Sequence, residues 1–191
     1  LILLAMSATL DAAPVAALMG DKIPVITSEG RSYPVDLRWL DTPLPKTARL
    51  EEACTDLVLR AVAETDGGVL VFLPGEGEIR RVAGLLSRHL PTDCAVRPLF
   101  GAMDFTAQRA AIAPVAAGEK RKIVLATSIA ETSLTIEDIR VVVDAGRSRR
   151  ARFDPGAGMS RLVTERVTRA EATQRAGRAG RVAPGLCYRV W

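Results

Sequence analysis

The chain has 191 residues, 48% hydrophobic and 25% charged, which suits a packed globular protein and excludes a disordered one. Three widely separated cysteines (Cys54, Cys94, Cys187) and a single histidine, His89, argue against a disulfide framework and against a zinc site, so no metal ligands are assigned. No stretch approaches the roughly 20 apolar residues of a membrane span, and the first apolar run (residues 1–6) lacks the basic flank and length of a signal peptide, so no membrane partner and a reducing, cytoplasmic setting are expected.

Taken in chain order, the run L-I-L-L-A-M (residues 1–6) reads as a buried parallel strand. Asp11 is placed to cap a short helix that ends near Gly20. Residues 23–27 form a second strand candidate, followed by a connector containing Gly30. Tyr33, Val35, Leu37 and Trp39 then alternate with polar residues or proline, the pattern of a half-buried strand. After T-P-L-P (residues 42–45) a helix is predicted over 49–64. Strands and helices alternate from there: strand 68–73, helix 76–90, strand 95–100, helix 104–113, strand 121–126, a helical turn at 130–132 and strand 139–144. Continuous apolar strands such as V-L-V-F-L predict a parallel sheet with helices on both faces. The alternation breaks at residues 148–154 and 159–167, which flank P-G-A-G and read as a β-hairpin. A last helix over 170–181 and a strand over 186–191 complete the pattern.

The net charge of +4 is unevenly spread. Between Arg147 and Arg181 stand ten arginines against three acids, a local charge of +7, which leaves −3 for the rest. Arginine suits bidentate work on phosphate, and a clustered positive field points to a polyanionic partner, although a solvated basic face has the same composition. Within this stretch lies Q-R-A-G-R-A-G-R (residues 174–181). On a helix Gln174, Arg178 and Arg181 share one face. Gly177 and Gly180 each cost such a helix about 1 kcal/mol relative to alanine, a cost explained if another backbone or a phosphate chain approaches closely.

A second segment, A-T-S-I-A-E-T-S-L-T-I (residues 126–136), opens at the carboxyl end of a predicted parallel strand, where open α/β sheets bind ligands. Its hydroxyls at Thr127, Ser128, Thr132, Ser133 and Thr135 surround a lone acid, Glu131. They suit phosphate or ribose oxygens, or alternatively a turn that caps the next helix. P-G-E-G (residues 74–77) follows a strand but lacks both the dinucleotide-binding glycine pattern and a P-loop lysine. His89, near a predicted helix C-terminus, reads as a surface residue, and the cysteines as small buried hydrophobes.

These two segments resemble motifs V and VI of the DEAH-box helicases of superfamily 2. V-V-V-D-A-G (141–146) matches the same family, F-L-P-G-E-G-E-I (72–79) resembles its motif IV, and M-S-A-T-L (6–10) its motif III. S-E-G-R-S-Y-P-V (28–35) and A-R-F-D-P-G-A-G-M-S-R-L (151–162) look most like its bacterial HrpB-type branch. The resemblance implies residues 1–30 as the tail of a first RecA-like domain and residues 31–191 as the second, with winged-helix and ratchet-like regions expected downstream. Neither the P-loop pattern nor D-E-x-H occurs in the 191 residues, so the chain alone is not expected to hydrolyse ATP.

By the same resemblance, Arg178 and Arg181 are arginine fingers on the β- and γ-phosphates of ATP, and Gln174 helps position the attacking water or the γ-phosphate. Ser133, Thr135, Glu137 and Gly177 line the nucleotide, although Glu137 stands where Asp is usual. Ile112 lies where relatives stack the base on an aromatic ring, which implies weak discrimination among nucleoside triphosphates. Mg2+ would be held mainly by the first domain. Thr127, Ser128 and Gly101 match contacts to single-stranded RNA or DNA, with Ser128 replacing a common Asn. Arg149, Arg150 and Arg152 on the hairpin meet the nucleic acid near a strand-separation point, unless they only keep an edge hairpin soluble. An arginine-rich RNA-binding module without ATPase activity and an inactive RecA-like scaffold are the competing readings.

Overall fold

In the computed structural model of the chain, residues 3–6, 12–20, 23–27, 32–45, 47–116, 118–132 and 136–191 are described. The chain divides into two compact units, Leu1–Arg31 and Ser32–Trp191. Among its described residues the first contains one helix, α1 (Ala12–Met19), with no buried residue. Residues 3–6 and 23–27 form no strand, contrary to the sequence pattern, and Leu3, Leu4, Met6 and Ile26 are exposed. Apolar runs become strands when a neighbouring strand takes up their backbone hydrogen bonds, and no such pairing forms at these residues. Asp11 and Gly30 lie outside the described residues, as does most of M-S-A-T-L.

The second unit is built on a six-stranded parallel sheet. Its strands are β1 (Val35–Trp39), β2 (Gly68–Phe72), β3 (Cys94–Leu99), β4 (Arg121–Ala126), β5 (Ile139–Asp144) and β8 (Gly185–Arg189), in the order β1-β8-β5-β2-β4-β3. Central strand β2, G-V-L-V-F, is buried at every position, as a strand covered on both faces requires. Edge strand β3 carries Pro98, tolerated where only one ladder has to be satisfied. The antiparallel hairpin β6 (Arg147–Asp154) and β7 (Met159–Arg166) forms a separate two-stranded sheet.

Alternate side chains of the central strands feed two cores. Val69, Val71, Ile123, Leu125, Val141 and Val143 pack under α2 (Leu50–Glu64) and α3 (Glu76–Leu86), which contribute Cys54, Val58, Ile79 and Val82. Leu70, Phe72, Val124, Val142 and Cys187 pack on the opposite face. That face is covered by α4 (Phe105–Ile112), α5 (Ile129–Thr132) and α6 (Arg169–Gly177) through Ala111, Ala130 and Ala176. Helices therefore cover both faces, as predicted. Two of them end early. After α3 the amides of Arg88 and His89 bond three residues back, to Leu85 and Leu86, and Pro91 follows. After α6 the amides of Arg178, Ala179 and Gly180 do the same, so the last turn tightens and Arg181 lies beyond the helix. Among the described residues no helix is long and apolar enough to cross a membrane.

Candidate nucleotide and nucleic-acid site

Because all six strands run the same way, their carboxyl ends share one rim of the sheet. Pro74 and Gly75 follow β2, Gly101 follows β3, Thr127 and Ser128 follow β4, and Gly146 follows β5. The amide of Thr127 donates to the carbonyl of Leu99 at 3.2 Å, joining the loop after β4 to the end of β3. Thr127 is half-buried, whereas Ser128 and Gly101 are exposed. The Gly101 turn is braced by Gln108, whose Nε2 donates to the carbonyls of Met103 and Gly101 at 2.9 and 3.5 Å.

The loop then makes its short helix. The amides of Ala130 and Glu131 donate to the carbonyls of Thr127 and Ser128. Ala130 is buried against the sheet, so Glu131 points toward α6. There it meets Arg175, which is wholly buried. Arg175 Nε donates to Glu131 Oε1 at 2.7 Å, and NH1 donates to Asp144 Oδ1 at 2.7 Å and to the Arg147 carbonyl at 3.2 Å. Its guanidinium lies 4.9 Å from the centre of the Phe72 ring, a cation–π contact. Burial raises the Asp144 and Glu131 carboxyls above their ordinary range, outweighing the pull of Arg175.

Sequence reasoning counted Arg175 only as charge. A signal was present: within α6 the buried residues are Ala172, Arg175 and Ala176, so Arg175 falls at the i+3 position of an otherwise alanine face. Asp144, ending the apolar strand I-R-V-V-V-D, was its visible partner.

Arg178, the helix C-cap, is 4% exposed, and its NH2 donates to the main-chain carbonyl of Glu131. Burial above all, and then the nearby charge of Arg181, lower this guanidinium to about 10 against the pull of Glu131. Arg181 itself is exposed, Gln174 is half-buried and Gly177 is exposed. The tightened turn takes Arg181 off the helix face that Gln174 and Arg178 were expected to share with it. The two glycines also part company. A Cβ at Gly177 would meet nothing within 4 Å, whereas one at Gly180 would lie 2.4 Å from the Tyr33 carbonyl. The close approach inferred for Gly180 is therefore that of the chain's own backbone.

Ile112 closes α4, half-buried against the second core. Beyond it, the Ala113 carbonyl accepts from Arg97 NH1 at 3.1 Å and Lys122 Nζ at 3.0 Å, and the Val115 amide donates to Asp138 Oδ2 at 3.2 Å. Asp138 has φ +70° and neighbours the exposed Glu137, so the segment after Ile112 and the Glu137 turn are tied together. Ser133 and Thr135 lie outside the described residues, as does the side chain of Thr132.

The hairpin arginines are engaged within the chain. Arg149 pairs with Glu78 at 3.3 Å and Arg150 with Glu171, while Arg152 donates to both oxygens of Glu165 at 2.8 and 3.0 Å. Glu171 also completes a capping box with Thr168, so Arg150 ties the hairpin to the start of α6. Phe153, Met159 and Leu162 are exposed toward the hairpin tip. A cleft of about 1160 Å³ is lined by Pro45, Glu78, Arg147, Arg166, Thr168 and Trp191 among others, and none of the candidate residues lines it. Among the described residues no cluster of three His, Cys, Asp or Glu could hold a metal ion.

The helicase conserved C-terminal domain family matches residues 49–183. The chain is 50% identical over 184 residues to the ATP-dependent RNA helicase HrpB of Escherichia coli strain K12, covering 96% of this chain and 22% of that protein. It is 38% identical over 196 residues to the pre-mRNA-splicing factor ATP-dependent RNA helicase prp22 of Schizosaccharomyces pombe, covering 99% of this chain and 16% of that one. Two crystal structures of E. coli HrpB superpose with TM-scores of 0.85 and 0.87 at 46% and 49% identity, covering 96% and 97% of this chain and 22% and 23% of theirs. The parallel sheet, its helices and the inserted hairpin thus match the RecA-like fold of those structures. The chain belongs to the helicase conserved C-terminal domain family and is similar to that region of HrpB, a DEAH/RHA helicase.

Proposed function

We propose that this chain is the second RecA-like domain of an ATP-dependent RNA helicase, and that residues 1–30 are the tail of the first. The observation that carries the reading is Arg178. Its guanidinium is removed from water, crowded by Arg181, and held at the carbonyl of Glu131 on the loop that follows β4. Two guanidinium groups side by side, at the loop that ends a parallel strand, suit recognition of a triphosphate.

In this reading Arg178 and Arg181 neutralise the charge that develops on the transferred phosphoryl group, an effect worth about 10³ to 10⁵ in rate in other NTPases. Gln174 orients the water, and Gly177 leaves room for the phosphates. Ser133, Thr135 and Glu137 hold the nucleotide, and Ile112 covers the base. Thr127, Ser128 and Gly101 hold phosphates of single-stranded RNA or DNA along the rim, and Arg149, Arg150 and Arg152 meet it at the hairpin. The P-loop and the carboxylates that hold Mg2+ belong to the partnering first domain, with further domains downstream. A reducing cytoplasm suits the three free cysteines.

Full-length protein carrying Arg178→Ala tests the assignment. ATP hydrolysis is expected to fall at least about a thousandfold while the affinity for an RNA oligonucleotide stays within about threefold of wild type. Loss of RNA affinity with hydrolysis intact would instead identify an arginine-rich binding module.

A further inference from the structure

Resting on that reading, we propose that Glu131 is the positioning residue of Arg178, and that Arg175 holds it in that role. Glu131 sits on a helix of four residues, α5, which is too short to fix its own orientation. The orientation comes from Arg175, whose Nε grips the Glu131 carboxylate at 2.7 Å. Arg175 is itself immobilised. NH1 bonds Asp144, its plane lies over Phe72, and Phe72 and Asp144 are register partners at the ends of the central strands β2 and β5. The sheet thus fixes Arg175, and Arg175 fixes the carboxylate of Glu131.

The other end of Glu131 bears on Arg178. Its main-chain carbonyl accepts from the Arg178 guanidinium, so fixing the side chain also aims the carbonyl. Arg178 and Arg181 repel each other, and a carbonyl dipole at Arg178 opposes their splaying. An ion pair that only stabilised the core could be replaced by apolar residues of similar volume with little cost. Such a replacement would leave the side chain of residue 131 without the Arg175 contact that orients it. The amide of Glu131 also bonds the carbonyl of Ser128, so the candidate nucleic-acid contact and the candidate finger meet at this one residue.

The test uses full-length protein, ATP, a saturating poly(U) oligonucleotide and thermal melts of each variant. Glu131→Ala is expected to lower kcat about 10- to 100-fold, the range seen when a catalytic group shifts by about 1 Å. KM for ATP and the oligonucleotide affinity should stay within about threefold, a split that general loss of structure does not produce. Glu131→Gln, whose amide oxygen still accepts from Arg175, should recover to within about fivefold of wild type. A crystal structure of the full-length Glu131→Ala variant should show the Arg178 guanidinium displaced from the residue 131 carbonyl. Should the alanine variant fail to fold, Glu131→Asp replaces it: it keeps the charge, retracts it by one methylene and should lose about tenfold in kcat.

Wild-type kcat in Glu131→Ala (or in Glu131→Asp where that variant is read), an unmoved Arg178 in the crystal, or a glutamine variant as impaired as alanine would each overturn the positioning role. If Arg178→Ala abolishes hydrolysis in the same preparation while Glu131→Ala does not, the helicase reading stands and only this inference falls. If Arg178→Ala hydrolyses ATP normally, both fall.

Discussion

Gly177 and Gly180 stand three residues apart in one arginine-rich segment and face opposite surroundings. A Cβ at Gly180 would press on the Tyr33 carbonyl at 2.4 Å and on Val35 Cγ2 at 2.8 Å, and the Gly180 carbonyl already accepts the Tyr33 amide at 2.8 Å. Neither backbone can move without breaking the entry to β1. We therefore expect Gly180→Ala to cost about 1–3 kcal/mol, as overpacking does. Gly177→Ala adds its methyl to open space and should leave stability unchanged or raise it by up to about 1 kcal/mol through helix propensity. Urea denaturation of the two variants decides the matter, and equal stabilities would remove the distinction. At this scale the sequence displayed which residue types were unusual but not what approached them. Both glycines invite a close approach, yet only the folded chain brings Tyr33, nearly 150 positions away, against one of them. Arg175 was hidden for the converse reason: among ten arginines in the same stretch, charge alone does not mark the one that the alanine face buries.

The hairpin shows the same division between pattern and partner. Its two strands and the turn were legible because two short segments flanking P-G-A-G are a local property, and Gly158 has the positive φ that the turn requires. The carboxylates that pair with Arg149 and Arg150 come from other elements, α3 and α6, 71 and 21 residues away in sequence. Arg149 and Arg152 are themselves exposed, and an arginine in such a surface pair can still exchange its carboxylate for phosphate, because surface pairs contribute about 0–1 kcal/mol. Replacing Arg149, Arg150 and Arg152 together by alanine should therefore lower the slope of log Kobs against log salt for single-stranded RNA. The expected decrease is about 0.7 for each phosphate no longer neutralised, measured on the full-length protein. An unchanged slope would leave the three arginines as internal ties between the hairpin, α3 and α6. Residues 3–6 and 23–27 failed as strands for a related reason: an apolar run states a preference for burial, and pairing depends on a neighbour.

Across the whole molecule, the parallel sheet was legible because its central strands are apolar on both faces, and the order of strands and helices followed from their spacing. Charge placement was not, and it sets the response to acid. Burial favours the neutral form of Glu51 and Glu171, but hydrogen bonds win and hold both carboxyls below their ordinary range. For Glu51 these come from its own backbone and Arg81, and for Glu171 from Thr168 and Arg150. Hydrogen bonds from Tyr188 and Arg60 lower Glu64, and one from Arg152 lowers Glu165. Such groups bind protons less readily folded than unfolded. Their stabilisation is complete above the unfolded value of about 4.3 and is lost as pH falls through the folded values. Glu131 and Asp144, raised by burial, have the opposite sign: their ionised forms oppose folding, and acid relieves that cost. Acid should accordingly loosen the periphery, where Glu171 joins α6 to the hairpin, before it reaches the Arg175 cluster. Thermal melts between pH 6 and pH 3 should show Tm falling by several degrees below about pH 4.5. Glu171→Gln should begin from a lower Tm and fall less over the same interval, because its contribution no longer titrates. A glutamine variant that keeps the full wild-type acid slope would show that these peripheral ties do not govern the transition.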